Sequence, residues 1–217
     1  MDYTRARWNM VENQLRPNRI EDRRVLDAMR SVPRERFVPA ALRGVAYNDE
    51  DLTFPDGRTL IEPLGLARIV QAARVQPGDV TLVLGCVTGY ATAVVARLAG
   101  TVILVQPDAE AAGAIETLLD DVGVDNVVVT VNPDPLGGHP SQAPFDLILV
   151  LGAVTGVPQT LLDQLGEAGR LVAVLDQGRV GKGTVFTRIH GVFGSRVVFD
   201  AVIPPLPGRE RTPAFAF

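Results

Sequence analysis

A chain of 217 residues with 47% hydrophobic and 21% charged residues can bury one sizeable core without covalent staples. Its single cysteine, Cys86, excludes an internal disulfide, and two histidines far apart in sequence, His139 and His190, offer no zinc ligand set. A formal net charge of -4 gives no broad basic footprint for nucleic acid, no apolar run reaches the roughly 18 residues of a membrane span, and the charged start "MDYTRARWNMVENQLRP" lacks a signal-peptide core, so a cytoplasmic location is expected.

Residues 1–62 are expected to form a charged helical segment packed on the core. Within them "EDRRVLDAMRSVP" sets Val25, Leu26 and Met29 at helical spacing and stops at Pro33, and the basic run "RPNRIEDRR", broken by Glu21 and Asp22, reads as a solvated helix start. Residues 63–217 alternate helical and strand patterns. "PLGLARIVQAARV" predicts a helix with Pro63 in its first turn, followed by the strand "VTLVLG" and the helix "YATAVVARLA". Next come the strand "TVILV", the helix "DAEAAGAIETLLDDVG" closed by Gly123, the strands "NVVVTV" and "FDLILVLG", the helix "PQTLLDQLG" and the strand "GRLVAVL". Strands apolar on consecutive residues, separated by helices, predict a doubly wound α/β domain with a mostly parallel sheet. "TVFTRIHG" and "SRVVFDAVIP", joined through "VFG", predict a final antiparallel pair. The proline-rich tail "PPLPGRERTPAFAF" predicts no regular structure, with Phe215 and Phe217 as its apolar anchors.

In such folds a ligand sits beyond the carboxyl ends of the strands where strand order reverses, which points to "GCVTGY" after the first long strand. Gly85 and Gly89 keep the ends of a nucleotide-type glycine loop, Cys86 lies inside it, and Val87 puts a branched side chain where the backbone is expected to be bare. Gln106 ends the next strand, where such sites place a carboxylate for the ribose hydroxyls. Asp108 reads as a helix cap. The cluster "GRVGKGT" at 178–184 contains Gly-Lys-Gly-Thr, but an alternating strand follows it, so it reads as a hairpin turn rather than a phosphate loop.

"NMVENQL", "DRRVLDAMRSVPRERFVP", "AYNDEDL", "QPGDVTLVLGCVTGYATAVVARLAG", "APFDLILVLGAVTGVPQTLLDQLGEAGRLV" and "PPLPG" together resemble the protein-L-isoaspartate O-methyltransferases over nearly the whole chain. The resemblance implies a seven-stranded, Rossmann-like sheet with an antiparallel last strand. It also implies S-adenosylmethionine as cofactor and isoaspartyl carboxylates of damaged proteins or peptides as acceptors. It places Gly85, Cys86, Val87, Gly89, Tyr90 and Gln106 at the cofactor. In "RTLIEP" it sets Thr59 on the family threonine and Ile61 where a serine stands near the reacting groups. It also sets Val83 where the family carries an acidic residue, and Asn132 and Pro133, with Asp134 adjacent, near an acidic position beside the adenine.

Loss of a charged hydrogen bond at Gln106 and overpacking at Val87 together remove about 3 to 5 kcal/mol, or roughly two to four decades of affinity, so weak or absent cofactor binding is expected. Three readings stay open. One is a working carboxyl methyltransferase with an adjusted loop, one a catalytically inactive relative serving as a binding or scaffold protein, and one a binder of a nucleotide or another small molecule in the same crevice. Reverting Val83→Asp, Val87→Gly and Gln106→Glu together is expected to restore cofactor binding if these positions cause the loss.

Overall fold

The structure, a computed structural model, describes residues 1–207. The expected anchors Phe215 and Phe217 lie outside the described residues.

The N-terminal part opens with α1 (Tyr3–Met10), capped by Asp2, and passes through a π-helical turn at Val11–Leu15. Helix α2 (Arg23–Ser31) begins where the Asp22 carboxylate accepts the Arg24 amide at 2.9 Å. Its Val25, Leu26 and Met29 are buried, as their spacing predicts. The chain then forms a small antiparallel pair, β1 (Leu52–Thr53) and β2 (Thr59–Leu60), which the sequence patterns did not announce because each strand is only two residues long.

From α3 (Pro63–Ala73) the expected alternation follows: β3 (Val80–Leu84), α4 (Tyr90–Ala96), β4 (Thr101–Gln106), α5 (Ala109–Asp121) and β5 (Val127–Val131). It continues with β6 (Phe145–Val154), α6 (Gln159–Leu162), β7 (Leu165–Leu175), β8 (Gly181–Ile189) and β9 (Val192–Ala201). The seven long strands lie in the order β5-β4-β3-β6-β7-β8-β9, parallel through β7, with β8 antiparallel to β7 and β9 antiparallel to β8.

The consecutive apolar residues of β3 have a direct explanation. Val83 joins the cluster that includes Leu104, Leu149 and side chains of α2, α3 and α4, while Leu82 and Leu84 join a second cluster on the other face with Ile148 and Leu161. Alternate residues therefore bury into opposite layers. Residues of α1 and α2, such as Met10 and Leu26, belong to the same apolar cluster as Val83.

Two boundaries differ from expectation. Helix α6 has four residues rather than the span of "PQTLLDQLG", and β7 starts at Leu165, because Phe145 pairs with Leu165 before a register shift brings Leu147 opposite Arg170. The turn between β8 and β9 is His190–Gly191, both at positive φ, so "VFG" lies inside β9 rather than joining the strands. The "GRVGKGT" cluster supplies the turn after β7 and the first residues of β8. Among the described residues no helix is long and apolar enough to cross a membrane, and no group of three or more His, Cys, Asp or Glu could hold a metal.

Candidate active site

Strand β3 has β4 on one side and β6 on the other, so chain connections diverge at its carboxyl end and open a crevice there. The loop 85–89 forms its floor. Gly85 has φ +79 and Gly89, at φ +85, caps α4. Both torsions lie in the left-handed region that a side chain disfavours.

Gln106 determines how this loop is held. Its side-chain amide nitrogen donates to the Cys86 carbonyl at 3.0 Å and to the Val105 carbonyl at 3.1 Å. Two acceptors fix the amide's orientation and leave its oxygen as the group offered to the cleft. A glutamate in that rotamer would set a carboxylate against two carbonyl oxygens.

A cleft of about 220 Å³ lies beside Gln106, walled by Val87, Val105, Pro107, Ala111 and Pro133. A second, of about 440 Å³, is walled by Thr59, Ile61, Leu151 and Pro204. Arg58, Gly85, Val87 and Pro207 line both. Of the residues assigned from sequence, Gly85, Cys86, Val87 and Gln106 border the first cleft, and Thr59 and Ile61 the second. Gly89 and Tyr90 border neither. Gly89 backs onto Ile115 and Phe37, and Tyr90 is fully buried, its ring edge-on to Phe37 at 5.8 Å and 4.9 Å from the Arg34 guanidinium carbon. The Tyr90 side chain therefore packs in the core behind the loop.

Thr59 and Ile61 reach the second cleft on the β1–β2 hairpin, where the Thr53 and Thr59 hydroxyls lie 3.2 Å apart. The segment after it is held by groups the sequence patterns did not single out. Arg34, fully buried, donates to the Ala46 carbonyl at 2.7 Å and the Ile61 carbonyl at 2.8 Å. Asp51 accepts the Glu62 amide at 2.8 Å and Asp49 accepts the Leu64 amide at 3.1 Å, satisfying amides at the start of α3. Burial pushes the Arg34 pKa down, against Tyr90, Tyr47 and Asp51, which pull it up. Burial pushes Asp51 up, and burial with the neighbouring Asp49 and Asp51 pushes Glu62 up. Both carboxyls hold protons more tightly in the folded chain, so the stability this gives is complete below their unfolded pKa and is lost as pH rises through the raised folded value.

The chain's last described residues complete the second cleft. The Pro204 carbonyl accepts from Ala153 N at 2.8 Å and Leu206 N donates to Ala153 O at 2.9 Å. A Cβ at Gly152 would lie 2.6 Å from the Leu206 Cα, so only glycine there admits this crossing segment.

Asp108 is the cap of α5, accepting the Ala111 amide at 2.8 Å, and it borders neither cleft. Asp108→Ala is expected to cost about 1 kcal/mol in chemical denaturation while leaving nucleoside affinity unchanged. A large loss of affinity would return Asp108 to the site. Asn132 and Asp134 shape their own turn, Asn132 donating to the Gly138 carbonyl at 3.0 Å, and Pro133 alone of the three borders the first cleft.

The first cleft has largely apolar walls and one amide oxygen, that of Gln106, at its edge. Among the described residues no carboxylate lines it, and Val83, where the family carries an acidic residue, is fully buried in the apolar cluster and not among its walls. The cleft is also smaller than the roughly 300 Å³ at which ligand pockets usually begin.

Strand order and the crevice at the end of β3 define the methyltransferase type of α/β domain. A solved protein-L-isoaspartate O-methyltransferase superposes with TM-score 0.76 at 22% identity, over 94% of this chain and 66% of that one. A putative protein-L-isoaspartate O-methyltransferase from Plasmodium falciparum, solved with S-adenosyl-L-homocysteine, also gives 0.76 at 20% identity, over 92% of this chain and 97% of that one. The sequence profile of the protein-L-isoaspartate(D-aspartate) O-methyltransferases matches residues 6–201. The protein-L-isoaspartate O-methyltransferase of Koribacter versatilis is 41% identical over 94% of this chain and 91% of its own length. That of Gloeobacter violaceus is 38% identical over 91% and 96%. The chain belongs to the protein-L-isoaspartate(D-aspartate) O-methyltransferase family.

Proposed function

We propose that this chain transfers a methyl group from S-adenosylmethionine to isoaspartyl carboxylates of proteins or peptides, with a weakened hold on its cofactor. The observation that carries this reading is the meeting of two clefts over Gly85 and Val87, one suited to a nucleoside and the other open to an acceptor beside Thr59. When bound, the cofactor supplies a methyl group on a sulfonium, which an acceptor carboxylate oxygen takes as the sulfur keeps the bonding pair. The chain's task is alignment rather than proton transfer, and positioning of this kind supplies most of such a rate enhancement. Gln106 offers its amide oxygen to a ribose hydroxyl, Gly85 and Cys86 present backbone to the ligand, and Val87 narrows the passage between the clefts. Thr59 offers a hydroxyl to the acceptor, and Ile61 adds apolar contact where the family has a serine.

An inactive, cofactor-free binding role is favoured by one observation, the absence of a carboxylate from the described walls of the nucleoside cleft. Calorimetric titration with S-adenosylhomocysteine, paired with labelled methyl transfer to an isoaspartyl peptide, separates the two. The expected result is weak binding with measurable turnover, and about tenfold tighter binding in Val87→Gly, equivalent to about 1.4 kcal/mol of relieved overpacking. No binding to either form at millimolar ligand, and no transfer, would establish the inactive role.

A further inference from the structure

Arg58 is the only lysine or arginine among the described residues that lines either cleft, and it lines both. Its Nε donates to Asp56 Oδ2 at 2.9 Å, its Nη2 lies 2.8 Å from the same oxygen, and its Nη1 donates to the Val87 carbonyl at 2.9 Å. A guanidinium has five N–H donors, so these bonds leave donors free at its outer edge. The side chain is thus aimed, at the junction of the clefts, without being saturated. Aiming comes from three sources: the Asp56 carboxylate, the carbonyl of Val87, which lines both clefts, and the Phe54 ring 5.9 Å away. Both Arg58 and Asp56 are about half exposed, so their ion pair is weak and an incoming carboxylate can share or replace it.

We propose that Arg58 anchors the carboxylate of the acceptor at the junction of the two clefts and so selects a free carboxylate over its methyl ester. This rests on the methyl-transfer reading for its consequence, although the binding itself does not require turnover. An arginine edge pairs with both oxygens of a carboxylate through parallel charge-assisted bonds, which a neutral ester cannot match. Before transfer the acceptor is an anion, and after transfer it is neutral. The same residue therefore favours substrate and releases product. Because its Nη1 also holds the Val87 carbonyl, the anchored carboxylate lies beside the passage toward the nucleoside cleft.

The test uses the full chain with saturating S-adenosylhomocysteine and a fluorescent isoaspartyl peptide, followed by polarisation, with the methyl ester of the same peptide as comparison. The acid is expected to bind at least tenfold more tightly than the ester, with the preference shrinking as salt is raised. Arg58→Gln is expected to bring the two peptides within about twofold, and Arg58→Lys to recover part of the preference, both with unchanged melting temperature. A structural role alone would move the melting temperature and leave the ratio of acid to ester intact. An Arg58→Gln variant that keeps the wild-type preference, or a wild type that binds neither peptide, overturns the proposal. Arg58-dependent binding without methyl transfer would leave the anchor in place and reject the enzymatic reading.

Discussion

Arg34→Met is expected to lower stability by about 3 kcal/mol and the melting temperature by roughly 6 to 12 °C in a chain of this size. Methionine keeps much of the buried volume but offers no donors. The Ala46 and Ile61 carbonyls, now held at 2.7 and 2.8 Å, would lose their guanidinium partner inside the core. Each orphaned acceptor costs about 1 to 3 kcal/mol. Relief from burying a charge works in the opposite direction, but removing one member of a buried polar set usually leaves a net loss. The fully buried position, with its Nη1 already lacking a hydrogen-bond partner, argues that water does not reach the site to compensate. A second consequence concerns the cleft beside Thr59 and Ile61. Arg34 is the side chain that holds the Ile61 carbonyl, so its loss loosens that residue, while the Asp51 and Asp49 carboxylates still hold the Glu62 and Leu64 amides at the start of α3. Thermal unfolding of the variant checks the first effect. A melting temperature within a degree of wild type would show that the two carbonyls find other partners.

The second large effect is expected at Val83→Asp, the change that would bring the family's acidic residue into this chain. Val83 is fully buried, its register partners are Leu104 on one side and Leu149 on the other, and it packs in the main apolar cluster. An unpaired carboxylate there is expected to cost about 3 to 5 kcal/mol near neutral pH. Burial favours the protonated form, so the aspartate's folded pKa lies above its unfolded value and the penalty grows as pH rises through that interval. Urea midpoints at pH 5 and pH 8 should therefore differ more for the variant than for wild type. A small, pH-independent loss would mean that the side chain turns into the cleft instead. The expectation that joint reversion at 83, 87 and 106 restores binding changes accordingly. Glutamate at 106 would face the Cys86 and Val105 carbonyls, and aspartate at 83 would face the core, which leaves Val87 as the reversion the fold tolerates.

Much of the fold was legible before any coordinates. Strands β3, β4 and β6 are apolar on consecutive residues because both faces of a parallel sheet are covered, and that composition needs no tertiary knowledge to interpret. Asp22, Asp108 and Pro63 mark helix starts by chemistry local to a few residues. The ends of α6 and β7 were not legible, since a register shift between β6 and β7 determines them and neither strand's own sequence encodes its partner's offset.

At the site the division follows the same physical line. Sequence alone determined the family, the position of the glycine loop and the replacement of acidic, glycine and serine positions by Val83, Gln106, Val87 and Ile61, because each is a property of residue type along the chain. Only the tertiary structure decided what those residues do. It turned Gln106's amide toward the loop, placed Tyr90 behind it, set Arg34 under Ile61 and brought Arg58 to the junction of both clefts. Contacts between residues far apart along the chain produced those outcomes, as between Arg58 and Val87 or Arg34 and Tyr90, and spacing along a sequence carries no record of which distant group a side chain will meet.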